Sequence, residues 1–121
     1  MDEKVKTVKT EELIQGLTQE LRRGTLMISV LSQLMKPQYG YSLVTVLADR
    51  GVDIDAGTLY PLLRRLEKQG LLASQWDTDE ARPRKYYLLS EIGKDVYGRL
   101  CTEWRKMTNI MEGLIDGSSE E

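Results

Sequence analysis

The stretch that decides the reading of this chain is Gly57-Thr58-Leu59-Tyr60-Pro61-Leu62-Leu63-Arg64-Arg65-Leu66-Glu67-Lys68-Gln69-Gly70-Leu71-Leu72. At about 100° per residue, Leu59, Leu62, Leu63 and Leu66 fall on one stripe of a helix, while Pro61, Arg64, Arg65 and Lys68 lie opposite. Gly70 supplies a C-terminal stop, and an apolar pair begins the next segment. Such a helix can pack on one side and touch phosphate or bases on the other. Pro61 limits where it starts, because proline is comfortable only in a first turn. The helix therefore begins near Thr58, or near Asp55 with a small kink, and Asp53 or Asp55 offers a cap.

Upstream, residues 1–9 are polar and charged and read as a loose arm. Thr10 is positioned to cap a helix whose apolar repeat runs through Leu13, Ile14, Leu17 and Leu21. Gly24 interrupts it. Leu26, Met27, Ile28, Val30, Leu31, Leu34 and Met35 are then apolar nearly all round, the pattern of a central buried helix closed by Lys36-Pro37. A further helix follows Tyr39-Gly40-Tyr41-Ser42 and ends at Arg50-Gly51.

Downstream, Leu71 to Trp76 reads as a strand, Asp77 to Pro83 as a turn and Arg84 to Leu89 as the returning strand. Alternation puts one of Tyr86 and Tyr87 in the core and the other at the surface, and Trp76 is expected to pack at the base of this ribbon. Ser90 is placed to cap a last helix running to about Leu114. Its apolar positions, Ile92, Val96, Leu100, Trp104, Met107, Met111 and Leu114, step by three or four residues. That helix would extend roughly 35–40 Å. Its far half has little of its own chain to pack against, which calls for a partner subunit.

At 121 residues the chain is expected to be one domain. With 40% hydrophobic and 30% charged residues it is expected to be soluble, and it lacks a membrane-spanning or signal-peptide pattern. The lone Cys101 cannot form an internal disulfide and fits a reducing cytoplasm. The net charge of −2 counts mildly against nucleic-acid binding. The charge is unevenly spread, however. Residues 56–70 carry Arg64, Arg65 and Lys68 against Glu67, while Arg82, Arg84 and Lys85 form a second basic group. The last 21 residues hold five acids against two bases, so much of the negative charge is at the far end.

Helices followed by a ribbon and a long helix give the order of a winged helix-turn-helix, mainly α with a two-stranded β wing. The helix pair would be residues 39–50 and 56–69, the second entering the major groove and the first crossing the backbone. Tyr39, Tyr41 and Ser42 are the DNA-facing candidates on the first. On the second, Arg64 or Arg65 suits a bidentate contact to guanine, Lys68 a phosphate, and the Thr58 and Tyr60 hydroxyls a phosphate or base edge. Pro61 offers an apolar edge to a thymine methyl. Arg82, Arg84 and Lys85 on the wing are better suited to fixing position than to reading sequence.

These motifs resemble the PadR family of transcriptional regulators. The resemblance rests on residues 57–67, with Tyr39-Gly40-Tyr41 ahead and Arg84-Lys85-Tyr86-Tyr87-Leu88-Leu89-Ser90 behind, and covers about residues 21–112. It implies a homodimeric winged-helix protein, usually a repressor, on roughly palindromic double-stranded DNA. Two-fold symmetry would set half-site centres about one helical turn, ~10 bp, apart. The resemblance makes the C-terminal helix the dimerisation element, joined by the N-terminal helix. Leu17, Leu21, Val96, Leu100, Trp104, Met107, Met111 and Leu114 are then the interface candidates. It also implies a small aromatic effector, for which Trp104 is the stacking candidate beside its ordinary role as packing. Many members have histidine where this chain has Tyr39. The chain contains no histidine, which removes any imidazole pH switch.

The expected organisation is an N-terminal arm and helix over 1–23, a DNA-binding domain over 24–89, a dimerisation helix over 90–115 and a disordered tail over 116–121. No catalytic, metal or cofactor site is expected: the sequence has no Ser-His or Cys-His pair, no zinc set and no P-loop spacing. Asp53, Asp55, Asp79 and Glu80 sit beside turns and read as caps and solvated loops. Two functions remain: a sequence-specific repressor released by a signal, or a winged-helix adaptor whose basic helix faces a protein.

Overall fold

A computed structural model describes residues 3–79 and 81–117. Its elements are α1 (Glu3–Arg23), α2 (Thr25–Ser32), β1 (Gln38–Tyr39), α3 (Gly40–Asp49), α4 (Ala56–Lys68), β2 (Leu72–Asp77), β3 (Arg84–Leu89) and α5 (Glu91–Asp116). The core is formed where α2, α3 and α4 meet the inner face of the sheet. Val30, Leu31, Leu34, Leu43, Leu59 and Leu63 are fully buried there, and Tyr87 and Leu89 close it from β3. The leucine stripe of α4 is thus the side that holds the helix in place.

The start of α4 resolves the tension at Pro61. Asp55 is the N-cap, its carboxylate accepting from the Thr58 backbone N–H at 2.8 Å, so Pro61 stands inside the helix. The donor it lacks would have served the Gly57 carbonyl in the exposed first turn, where solvent can replace it.

Three expectations are corrected. Residues 3–9 are not a loose arm: α1 runs unbroken from Glu3, and the Thr10 hydroxyl, instead of capping, bonds back to the Lys6 carbonyl. No glycine or proline interrupts residues 3–15, and Val5 and Val8 extend the apolar stripe. The wing has a third strand, with sheet order β1-β3-β2, all antiparallel; Gln38 pairs with Tyr87 and Tyr39 with Tyr86. Trp76 is 59% exposed and pairs with Lys85, one step from the last pair, Asp77 and Arg84, so it stands near the wing tip, not at its base. As alternation requires, Tyr87 is buried and Tyr86 only half-buried.

Ser90 caps α5, its hydroxyl accepting from the Gly93 N–H at 2.9 Å. The same residue ties α5 to the turn after α4: its N–H donates to the Leu71 carbonyl and its hydroxyl to the Gly70 carbonyl. Gly117 in the left-handed region closes α5, and the remainder of the expected tail, residues 118–121, lies outside the described residues. None of the 21 residues of α1 is buried, and no described helix is long and apolar enough to cross a membrane.

Candidate nucleic-acid interface

With Leu59, Leu63 and Leu66 turned inward, helical geometry puts Gly57, Pro61, Arg64 and Lys68 along the outermost ridge of α4. All four are exposed. One flank of the ridge carries Tyr60 and Glu67 and faces the start of α3 and the wing; the other carries Thr58, Leu62 and Arg65. The helix therefore presents cations outward with a different neighbour on each side.

The wing-side flank is tightly organised. Tyr60 packs over Gly40, where an added Cβ would come within 2.7 Å of the tyrosine ring. Glu67 accepts a hydrogen bond from the Ser74 hydroxyl on β2 and an ion pair from Lys85 on β3 at 3.3 Å. The Ser74 hydrogen bond is the main reason the Glu67 carboxyl is held below its ordinary pKa, with Lys85 adding to it and partial desolvation opposing. This pair links the last turn of α4 directly to the wing.

On the outer face of the sheet a second cluster joins the wing to α3. The Tyr39 hydroxyl donates to Asp77 Oδ2 at 2.6 Å, and the Tyr39 and Tyr41 rings stack with centroids 6.0 Å apart. The Arg84 guanidinium lies 4.3 Å from the centre of the Tyr39 ring and donates to the Tyr41 hydroxyl. The Tyr39 bond, reinforced by the Asp79 N–H, lowers the pKa of Asp77.

These contacts divide the residues singled out in the sequence. Arg64, Arg65, Lys68 and Arg82 are exposed and have no ion-pair partner among the described residues. Thr58 and Pro61 are exposed beside them, and Ser42 is half-buried. Arg84 and Lys85, expected as a freely presented basic group, are half-buried and engaged within the chain, as is Tyr39. Sequence reasoning missed Glu67, Ser74 and Asp77 as their partners. Cross-strand register would have paired Arg84 with Asp77, but the meeting of Glu67 with Ser74 and Lys85 depends on how α4 packs on the sheet.

The profile of the PadR-like transcriptional regulator family matches residues 27–99, from Met27 in the first turn of α2 to Arg99 in the third turn of α5. The chain belongs to the PadR-like family of transcriptional regulators. A PadR family transcriptional regulator from Eggerthella lenta, known from its crystal structure, is 46% identical, with TM-score 0.86 over 89% of this chain and 96% of that one. A PadR-like transcription factor from Bacteroides fragilis is 30% identical, with TM-score 0.68 over 82% and 98%. A transcriptional regulator of Mycobacterium tuberculosis is 28% identical over 101 residues, 83% of this chain and 92% of that protein. As in the PadR-like family at large, the role is regulation of transcription and the architecture is a winged helix.

Proposed function

We propose that this PadR-like regulator is a homodimeric repressor that binds a roughly palindromic operator through α4 and the wing. The observation that carries this reading is the outer ridge of α4, where Arg64 and Lys68 stand exposed and without acid partners on a helix whose other side is locked into the core. A rigid helix with mobile cations on its outer ridge meets the two needs of groove binding, fixed placement and adaptable contact. Arg64 is the guanine-reading candidate, Arg65 and Lys68 contact phosphate, and Arg82 at the wing tip reaches the flanking backbone.

Dimerisation is supported by the apolar rows that the monomer leaves open. Leu17 and Leu21 on α1 are 57% and 78% exposed, and Met107, Met111 and Leu114 on α5 are 55%, 52% and 69% exposed. Rows of this size seldom face water in a stable protein. Val96 is half-buried and Leu100 packs against its own core, so these two sit at the inner edge of that surface. Release by a small aromatic effector is supported by a cleft of about 520 Å³ between α1 and α5, lined by Leu21, Trp104, Met107 and Met111. Its size and apolar lining suit a flat molecule.

The test is a gel-shift titration with DNA from upstream of the protein's own gene, at two salt concentrations, against a scrambled competitor. A specific, salt-sensitive complex that Arg64→Ala weakens and makes less selective is the expected result. Binding indifferent to both salt and sequence would favour the adaptor reading, in which α4 faces a protein.

A further inference from the structure

The flank of α4 that faces away from the wing opens onto a cleft of about 350 Å³ shared with the junction of α1 and α2. Arg65, Thr58 and Pro61 line it from α4, and Arg23, Leu26 and Met27 from the junction. No acid lines this cleft, and neither guanidinium has an ion-pair or hydrogen-bonding partner among the described residues. Two like charges line one cleft with no carboxylate among its lining residues to offset them, a small electrostatic cost. An anion between them removes that cost and satisfies both forks of donors.

We propose that Arg23 and Arg65 together hold one backbone phosphate of the operator, on the side of α4 opposite the wing. This rests on the DNA-binding reading above and extends it to a residue outside the helix-turn-helix and the wing. The spatial logic is that a helix lying in a major groove has a phosphate backbone along each side. On one side Arg82 projects from the wing tip. On the other, Thr58 and Arg65 face the last turn of α1, where Arg23 is the exposed cation on the same cleft. The apolar floor of Leu26 and Met27 accommodates the sugar edge and lowers local hydration, which strengthens a guanidinium–phosphate pair. Arg22, the neighbouring residue, lines the Trp104 cleft instead and so takes no part in the clamp.

That neighbour supplies the control. Arg22→Ala and Arg23→Ala remove the same charge from the same helical turn, so a difference between them reports contact and not net charge. Each variant of the full-length protein, with Arg65→Ala alongside, is titrated against the upstream duplex and a scrambled duplex over a series of salt concentrations, with circular dichroism to verify the fold. Arg23→Ala is expected to weaken binding to both duplexes by a similar factor, roughly tenfold, and to reduce the slope of log K against log salt by about 2 per dimer. Arg22→Ala is expected to change neither by as much as half of that. Wild-type binding with equal effects of Arg22→Ala and Arg23→Ala, or with an unaltered Arg23→Ala slope, overturns the clamp and leaves the α4 reading standing. A wild-type protein that binds neither duplex in a salt-dependent way overturns both.

Discussion

Glu67 shows how one side chain can fix the placement of two elements that are distant in sequence, α4 and the sheet. It receives the Ser74 hydroxyl and the Lys85 ammonium, and so holds the wing at a set distance from α4. Its carboxyl is depressed in the folded state, so its stabilising contribution is complete above the unfolded glutamate value, about 4.3, and is lost as pH falls through the lower folded value. Asp77, held down by Tyr39, acts in the same direction from the other face of the wing. Thermal unfolding followed from pH 7 into the acid range should therefore show a loss below about pH 4.3 that is shallower in Glu67→Gln. At neutral pH the variant should lose no more than about 1 kcal/mol, because both partners are partly solvated. An acid limb with the same steepness in both proteins would remove Glu67 from that role.

At the scale of elements, the join between the winged helix and α5 is the tightest point in the chain. Gly93 lies in the first turn of α5, where an added Cβ would come within 2.0 Å of the Leu71 carbonyl oxygen. Ser90 binds the same carbonyl and that of Gly70, so helix cap, turn and strand end converge on one spot. Backbone on both sides of the contact leaves no flexible side chain to give way. Gly93→Ala should destabilise the protein by about 3 kcal/mol, read as a lower urea midpoint with unchanged slope. A variant as stable as the wild type would mean that α5 can pivot on its cap, and that this contact does not set its direction.

For the molecule as a whole, the dominant feature is the apolar surface that α1 and the outer half of α5 leave exposed. A 21-residue helix with no buried residue gains little from its own fold, and isolated helices in water are marginal. Trp104, still 44% exposed, sits where both helices contribute to the apolar cleft. Trp104→Ala should raise the dimer dissociation constant roughly tenfold or more in sedimentation equilibrium, and should weaken the protein's response to flat aromatic compounds. If neither changes, the seam lies elsewhere on these helices. The α1–α2 junction takes part in both clefts, Arg22 facing Trp104 and Arg23 facing α4.

What the chain could declare by itself were the features in which neighbours in sequence are also neighbours in space. The leucine stripe of α4, the Ser90 cap and the extent of β3 all follow from local periodicity and turn chemistry, because a helix face or a strand is specified within a few residues. The order of those elements was enough to expect a winged helix. Other features wait on packing. β1 is two residues long and exists only because β3 pairs with it; Arg84 meets Tyr41 across 43 positions and Lys85 meets Glu67 across 18. A cation in a sequence looks the same whether it ends in solvent or over a tyrosine ring. Only the packing of α3 and α4 on the sheet engaged the half-buried Arg84 and Lys85 within the chain, and only the tertiary structure put Arg23 and Arg65 on one cleft, since such contacts depend on the relative placement of elements that no local pattern encodes.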